Sequence, residues 1–426
     1  MASSTPKLVD NHAIILDENK LKHPLQNGTV RNRKNVNKTG IFICIGVVFL
    51  VVAALTSFIL FEYYKQTSTF NSAPCERRIV AYYPLRSTLD LTDEKLFLMT
   101  HLIFYRSLLR SNGILTIGNE LEKQRFKNLV AKAKAKDVTT MIAVDGDWQA
   151  VAPLISDDEK RKLLVDSIVS LVLEFQLDGV DIFWKWPKTD ADFSNLLSLI
   201  KDIREKFSET GRKLLISNLV SPSVEHSDFQ KQISEIVDFL NIDINNHEGQ
   251  PDLVVPGAPL YSGQKNQYRE SVDRNLRLLS CWTKQPRKLN LVVCPDAIYW
   301  NNVINSEDKT SMKAELINGK VDGGLFYWKN IRAHGWNISE ASWNHESMTP
   351  YIWNSNKRKY LTFDNEESVK HKIKYAEDKN VGGITFWELR SDDQEDTILQ
   401  VVSSANLCSK SNDGLVKYNC DDIQLY

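Results

Sequence analysis

A short segment near the middle of the chain carries charged residues at strand spacing. It reads Leu177-Asp178-Gly179-Val180-Asp181-Ile182-Phe183-Trp184-Lys185. In an extended strand Asp181, Phe183 and Lys185 point to one side, and Ile182 and Trp184 point to the other. The carboxylates of this segment could take part in proton transfer, whereas a lysine, with a reference pKa of about 10.4, is a poor proton donor at neutral pH. The segment therefore has only part of what acid–base chemistry needs.

The elements that must position this segment recur along the chain. Eight short β-branched or aromatic runs follow residue 76, with charged amphipathic stretches between them. This alternation predicts an α/β fold, a parallel (β/α)8 TIM barrel, whose site would lie at the C-terminal ends of the strands. Residues 297–381 are too many for one helix, so we expect a small α+β insertion between strands 7 and 8. The runs begin at residues 78, 101, 140, 179, 214, 237, 289 and 383.

The segment around Asp181 resembles the fourth-strand signature of glycoside hydrolase family 18, the chitinases, which reads D-G-x-D-x-D-x-E. Two later stretches, residues 258–261 and 361–369, look like family landmarks in family order, as does Gly382-Gly383-Ile384-Thr385-Phe386-Trp387-Glu388-Leu389. The resemblance covers about residues 76–407. The chain also resembles membrane-anchored nematode chitinase-like proteins.

Carried over position by position, the resemblance implies a degenerate catalytic site. Asp178 and Asp181 match the family signature, but Phe183 stands where an Asp belongs and Lys185 stands where the proton-donating Glu belongs. Family hydrolysis is assisted by the acetamido group of the substrate and needs that Glu to protonate the leaving oxygen. Loss of a general acid costs about 10²- to 10⁴-fold in rate. We therefore predict a pseudoenzyme with no catalytic residue.

Further departures agree with this prediction. Asn245 and Asn246 stand where the family has a Tyr and an Asp that hold the acetamido group. We expect Lys185 to form an ion pair with Asp181 or Asp178. Catalysis relocated to Asp145 or Asp147 is the remaining alternative for an active enzyme.

Sugar binding could survive without a proton donor, because aromatic rings bind sugars by stacking and apolar burial. Trp387 matches the family tryptophan that forms the floor of the central sugar subsite. Tyr83 and Trp148 lie near the ends of predicted strands. We take these three residues as candidate ligand contacts. Packing in the barrel core or wall is the alternative for each of them.

The stretch from residue 41 to residue 61 contains no charged residue. A helix of this length just crosses a bilayer core of about 30 Å. The stretch therefore predicts one transmembrane helix before the barrel. Basic residues before it predict a cytoplasmic N-terminus and a single-pass type II protein with an extracellular or luminal C-terminal domain. A cleaved signal peptide is disfavoured because forty residues come first. The predicted domains are a disordered tail (1–40), the span (41–61), a linker (62–75), the barrel (76–407) and a C-terminal tail (408–426).

Five of the six cysteines follow the span, so disulfides can form there and one thiol must stay free or pair between chains. Cys408 with Cys420 is the predicted bridge, since it closes a short loop. Asn337 begins a glycosylation sequon, Asn337-Ile338-Ser339. Cysteine and histidine spacing favours no metal site, and we expect no cofactor.

Basic and acidic residues number 53 and 54, a balance that does not favour nucleic acid binding. The sequence therefore predicts a catalytically inactive, membrane-anchored chitinase-like protein that binds chitin or other N-acetylglucosamine oligosaccharides. The alternative is an interaction or signalling ectodomain that binds protein partners rather than sugar. A residual glycoside hydrolase is the least favoured hypothesis.

Overall fold

The computed structural model describes residues 52–58, 76–243, 252–263, 270–305, 312–408 and 418–421. The chain divides into two compact units, Met1–Tyr64 and Lys65–Tyr426. In the first unit residues 52–58 form a helix, and the rest of the predicted span, the tail (1–40) and the linker (62–75) fall outside the described residues. Within the described ranges, no helix has both the length and the apolar character that a membrane crossing requires.

The second unit contains a closed barrel of eight parallel strands in sequential order, which confirms the predicted TIM barrel. The first strand pairs with both the second and the last, so the sheet has no free edge. The strands are β1 (Arg78–Pro84), β2 (His101–Tyr105), β3 (Thr139–Asp147), β4 (Gly179–Lys185), β5 (Leu215–Val220), β6 (Phe239–Ile242), β7 (Leu289–Val293) and β8 (Gly383–Phe386).

Helices cover the outside of the barrel, as the amphipathic stretches predict. They are α1 (Asp93–Phe97), α2 (Glu120–Lys134), α3 (Trp148–Ile155), α4 (Asp158–Glu174), α5 (Asp190–Glu209), α6 (Ser227–Ile236), α7 (Val272–Thr283), α8 (Glu366–Asp378) and α9 (Thr397–Ser403). Local chemistry fixes where they start: Thr189 caps α5 in a reciprocal capping box with Asp192.

The two faces of each strand have different neighbours. Along β1, Val80 and Tyr82 pack in a cluster inside the barrel, whereas Ile79, Ala81 and Tyr83 join the larger core between barrel and helices. The inner and outer clusters follow the alternation of side chains along a strand. Strands buried on both faces in this way are typical of parallel barrels, in which the helices shield the sheet from water.

The chain between β7 and β8 forms the predicted insertion, built mainly from antiparallel strands. Five of them form a sheet in the order Gly323–Phe326, Ala297–Trp300, Lys359–Thr362, Thr349–Asn354 and Ser342–Asn344. Two further strands of the insertion, Val303–Asn305 and Met312–Ala314, form a second sheet with Leu253–Val254, which comes from the segment between β6 and β7. The insertion also contains the hairpin Leu316–Ile317 with Lys320–Val321, and a separate hairpin, Leu108–Leu109 with Leu115–Thr116, lies between β2 and β3. Short 3-10 turns lie at Val224–His226, Pro286–Lys288, Trp328–Asn330 and Ile338–Glu340. Helix α8 then returns the chain to β8.

The disulfide prediction was wrong. Cys420 bonds to Cys281 on α7, across 139 residues of sequence, rather than to its near neighbour Cys408. Cys408 is itself disulfide-bonded, and Cys294 is the free cysteine of the described residues. The prediction assumed that cysteines close in sequence pair with each other. The fold instead brings the C-terminal segment against the outside of the barrel, next to Cys281. Tyr418 shows this by sharing a hydrogen bond with Tyr375 of α8.

Candidate functional site

The alternation predicted for β4 is observed. Phe183 contacts Tyr82 inside the barrel, with their ring centres 5.7 Å apart, while the neighbouring Trp184 is buried in the outer core. Strands β4 and β5 approach each other closely at Gly179, where a Cβ atom would lie 2.2 Å from the Leu215 carbonyl oxygen. Glycine is therefore required at the start of β4 for steric reasons.

Asp178 lies away from the barrel mouth, which is the end of the barrel formed by the C-terminal ends of the strands. Its carboxylate accepts a hydrogen bond from Lys134 at 2.8 Å and two more from the backbone and hydroxyl of Thr140. These contacts lie where β4 begins, at the end of the barrel opposite the mouth. Asp178 therefore ties α2 and β3 to β4, a structural role.

Asp181 is fully buried in the barrel interior and is hydrogen-bonded on both oxygens. Its carboxylate accepts from the Tyr82 hydroxyl at 2.8 Å, from Ser217 at 2.6 Å and from the Asn241 amide at 3.4 Å. Burial raises its pKa to about 6, although these donors favour the charged form. The carboxylate is thus held as part of an interior network.

Phe183 occupies the centre of an aromatic cluster. Its ring lies nearly parallel to that of Trp387, with centres 4.9 Å apart and an angle of 11°. Tyr82 and Tyr105 each contact Trp387 with ring centres 4.8 Å apart. Phe183 therefore covers part of the Trp387 ring surface, although Trp387 is still partly exposed.

Lys185 forms its ion pair with a different residue from those predicted. Its Nζ lies 2.7 Å from Oδ2 of Asp243, directly after β6, and the lysine side chain is 32% exposed while the aspartate is 7% exposed. Asp181 is satisfied instead by the neutral donors of Tyr82 and Ser217. The role of Asp243 is not predicted from the sequence, because the resemblance places Asn245 and Asn246 at the positions of the family's Tyr and Asp. Both asparagines lie outside the described residues.

A second charged group lies beside Trp387. Glu388 is buried, accepts a hydrogen bond from Tyr105, and accepts another from Arg390 at 2.6 Å. The Arg390 guanidinium in turn lies over the ring of Tyr327 in the insertion, 5.3 Å from its centre. In the sequence Glu388 is only one residue of a family landmark, and its position next to Trp387 is the signal that could have identified it.

Two other acids near the mouth, Asp145 and Asp296, have raised pKa values. Asp145 is adjacent to Phe183 in the pairing of β3 with β4, and burial raises its pKa to about 6 although the Arg106 backbone N–H donates to it. Burial likewise raises the pKa of Asp296, which accepts from Ser391, to about 6. Asp147 differs, since it is exposed and caps α3 by accepting from Ala150 N–H. Of the two residues considered for relocated catalysis, only Asp145 faces the interior layer.

The remaining predicted residues lie outside the aromatic cluster of Phe183 and Trp387. Tyr83 is fully buried between barrel and helices and donates to the Leu89 carbonyl, so it is wall packing and Tyr82 is the tyrosine that faces inward. Trp148 begins α3 and donates to Asp192 at 3.0 Å. Asn337 is exposed on the insertion, a position open to glycosylation. In the part of the chain that the structure describes, no cluster of three or more His, Cys, Asp or Glu side chains could hold a metal ion.

Comparisons with known proteins agree with the barrel fold. A family model described as glycosyl hydrolases family 18 matches residues 78–392. Chitinase A1 of Niallia circulans is 24% identical over 304 residues, which span 64% of this chain and 42% of that protein. The matched region is thus less than half of that relative's length.

Solved structures share the fold. A group IV chitinase from Ostrinia furnacalis is 21% identical, with a TM-score of 0.67 over 78% of this chain and 99% of that one. A chitinase-like agglutinin from Robinia pseudoacacia is also 21% identical, with a TM-score of 0.64 over 76% of this chain and 98% of that one.

Proposed function

Because the chain belongs to glycosyl hydrolases family 18, we propose that it is a catalytically inactive member that binds chitin or related N-acetylglucosamine oligosaccharides at the barrel mouth. The ion pair between Lys185 and Asp243 is the observation that supports the proposed lack of catalysis. A carboxylic acid must protonate the leaving oxygen in this family's reaction, and here the corresponding position holds a cation already paired with a carboxylate.

The aromatic cluster supports the same conclusion. Phe183 replaces a carboxylate with an apolar ring, and it fills space against Trp387 by stacking. A substrate acetamido group that attacks the anomeric carbon needs a polar partner to orient it and to stabilise the charge that develops. An apolar ring supplies neither, so restoring a single acid would leave the reaction unsupported.

The proposal that the mouth binds sugar rests on aromatic rings that stay partly exposed at that cluster and beside it. Trp387 and Tyr327 are partly exposed, and Arg390 is held between Glu388 and the Tyr327 ring. Exposed rings beside fixed hydrogen-bonding groups are the combination by which proteins bind sugar rings. One structural neighbour is named a chitinase-like agglutinin, and that name supports the proposal of a binding role for this chain.

One observation favours a second candidate, an interaction or signalling domain that recognises protein partners. Phe183 already stacks on Trp387, so the ring face that a sugar would use is partly taken. In this reading the barrel is a scaffold, and partner capture would not depend on Trp387.

We also propose a single-pass type II arrangement, with residues 41–61 in the membrane and the barrel on the extracellular or luminal side. The uncharged stretch and the basic residues before it support this topology. The Cys281–Cys420 disulfide supports it independently, because such bonds persist in oxidising compartments. Glycosylation of Asn337, detected as a mobility shift that Asn337→Gln removes, tests the orientation; an unmodified Asn337 in a cell line that glycosylates such sequons would count against it.

The binding proposal is tested by calorimetry of the full-length chain with N-acetylglucosamine tetramer, with product release assayed in parallel. We expect binding without release of shorter oligomers. Trp387→Ala should abolish the heat of binding, whereas Trp343→Ala, in the edge strand Ser342–Asn344 of the insertion, should leave it unchanged. Absence of binding to the unmodified chain would remove the sugar proposal, and released product would remove the claim of inactivity.

A further inference from the structure

Positively charged side chains lie against aromatic rings at the barrel mouth. The Arg106 guanidinium, directly after β2, lies over the Tyr105 ring, 5.6 Å from its centre. On the insertion the Lys329 ammonium lies over the Tyr327 ring, 5.5 Å from its centre. Arg390 contacts both tyrosines, since its guanidinium is 5.3 Å from the Tyr327 ring centre and one of its nitrogens is 3.5 Å from the Tyr105 hydroxyl. We call Arg106, Arg390 and Lys329 the basic row.

The basic row lies beside the ring on which we propose that a sugar stacks. The ring centres of Tyr105 and Trp387 are 4.8 Å apart, and Trp387 is partly exposed. The backbone N–H of Lys329 donates to the Ser391 carbonyl at 3.1 Å, so the insertion holds its end of the row against the segment that follows β8. A glycan stacked on Trp387 would therefore extend past the basic row.

The two ends of the row carry charge that the protein does not neutralise. Among the described residues neither Arg106 nor Lys329 forms a salt bridge, and both residues are exposed. Arg390 differs, because Glu388 accepts a hydrogen bond from it at 2.6 Å. Three cations against one paired carboxylate leave a surplus of positive charge along the row. Such a surplus beside a groove attracts anionic ligands.

Two further carboxyl groups near the row, Asp145 and Asp296, form no salt bridge with it. The backbone N–H of Arg106, rather than its guanidinium, donates to Asp145 at 2.9 Å, and Ser391 donates to Asp296 at 2.6 Å. Burial raises the pKa of both carboxyls to about 6, so both are mainly protonated at pH 5. At that pH they repel an anionic ligand only weakly.

Strand β4 differs from the family signature in the same electrostatic direction. Phe183 and Lys185 stand where the family has an Asp and a Glu, and the Lys185 ammonium lies 5.7 Å from the centre of the Phe183 ring. One positive charge thus stands in a place where the signature has two acids. Carboxylates at that place would repel an acidic sugar, whereas the side chains present here do not.

We propose that the basic row makes the mouth selective for acidic glycans, which contain N-acetylglucosamine together with carboxylate or sulfate groups. This inference rests on the proposed sugar binding and names the class of sugar. Trp387 stacks on an N-acetylglucosamine unit, and Arg106 donates two hydrogen bonds to the anionic group of a neighbouring unit, because its planar fork matches carboxylate and sulfate oxygens. Lys329 attracts a second anionic group as a point charge.

The test is calorimetry of the full-length chain at pH 5 with three oligosaccharides. They are the neutral N-acetylglucosamine tetramer, the same tetramer with 6-sulfate groups, and a tetrasaccharide in which N-acetylglucosamine alternates with glucuronate. We expect an acidic oligomer to bind about threefold to tenfold more tightly than the neutral one, because each exposed charge contact contributes only a few-fold. The acidic oligomer that binds more tightly identifies carboxylate or sulfate as the preferred anion. Added sodium chloride should reduce the preference, since salt screens exposed charges.

Variants of the row test which residues produce the preference. Arg106→Gln and Lys329→Gln should each lower the ratio of acidic to neutral affinity, and the double variant should remove the preference. Arg106→Lys keeps the charge without the planar fork, so it should retain part of the preference. Arg212→Gln is the matched control, because Arg212 is exposed and donates to the Leu177 carbonyl just before β4, at the end of the barrel opposite the mouth. It should keep the ratio of the parent.

The inference is overturned if the acidic oligomers bind no more tightly than the neutral tetramer, or if Arg212→Gln lowers the ratio as much as Arg106→Gln does. Neutral binding without a preference would leave the proposed sugar binding intact, whereas binding of the acidic oligomers alone would remove the chitin proposal and support this one. A single-stranded oligothymidylate that binds as tightly as the acidic oligomers, and weakens equally in Arg106→Gln, would overturn the glycan class of ligand.

Discussion

Lys185 and Asp243 join β4 to the end of β6 by an ion pair of 2.7 Å at the mouth of the barrel. The pair places a lysine where the family's proton donor belongs, and it gives that lysine a structural partner. In the inactive protein that we propose, this lysine is therefore part of the packing of the mouth rather than an isolated change on its surface.

We predict that Lys185→Glu does not restore hydrolysis. The new carboxylate would face Asp243, which is only 7% exposed, and Phe183 would still fill the space beside Trp387. Two like charges in contact repel each other, so the variant should also unfold at a lower temperature than the parent. Product release from N-acetylglucosamine oligomers and thermal unfolding measure the two effects. Hydrolysis by this single variant would contradict the prediction.

The same pair should show energetic coupling. Lys185→Met leaves the nearly buried Asp243 carboxylate without this partner, and we expect a loss of about 1–2 kcal/mol in the free energy of unfolding, reduced because the lysine is 32% exposed. Combining it with Asp243→Asn should cost less than the sum of the two single changes. Urea unfolding of the four chains gives the coupling, and strict additivity would mean that the pair contributes nothing.

Removal of the Phe183 ring should uncover Trp387. Since the two rings stack 4.9 Å apart, Phe183→Ala exposes more of the tryptophan surface, and we expect stronger retention on chitin than for the parent chain. Tyr83→Phe is the control, because Tyr83 is buried on the outer side of β1 and should not alter retention. Equal retention of the Phe183→Ala variant and the parent would show that this ring face does not bind sugar.

Much of this arrangement could be predicted from the sequence, and the reasons are physical. All eight barrel strands follow from local runs of residues. The side of β4 to which Phe183 and Lys185 point follows from the two-residue period of a strand. The partners of those residues could not be found in the same way. Asp243 and Cys281 meet Lys185 and Cys420 only after distant segments pack together, and neither contact has a local signal in the sequence.

Asp181 should make stability depend on pH in a definite direction. Its pKa rises from an ordinary value of 3.8 to about 6 on folding, so between these values the folded protein holds a proton that the unfolded chain has released. Stability contributed by this proton is present below about pH 4 and is lost as the pH rises through 6, by about 3 kcal/mol in all.

Asp181→Asn removes this titration. Its free energy of unfolding, relative to that of the parent, should therefore increase from pH 4 to pH 7. Urea unfolding at one-unit pH intervals measures the difference, and a difference that stays constant across that range would refute the assigned pKa.

The disulfide can be tested by peptide mapping without reduction. A peptide pair that contains Cys281 and Cys420 is expected, and a pair that joins Cys408 to Cys420 would contradict the structure. Because the bridge closes a loop of more than one hundred residues, Cys420→Ser should lower the free energy of unfolding by about 3–5 kcal/mol. Cys294→Ser, at the free cysteine, should change it far less.

The folded barrel begins and ends on the same side. Arg77, just before β1, donates to the carbonyls of Ser403 and Ala405 at the end of α9, so both ends of the domain meet where the strands start. A support attached at residue 76, such as a sensor surface or a bead, therefore approaches from the side opposite the mouth. Chains immobilised in this way would present their mouths outward to a soluble or insoluble glycan, whereas random coupling through surface lysines would hide a share of them.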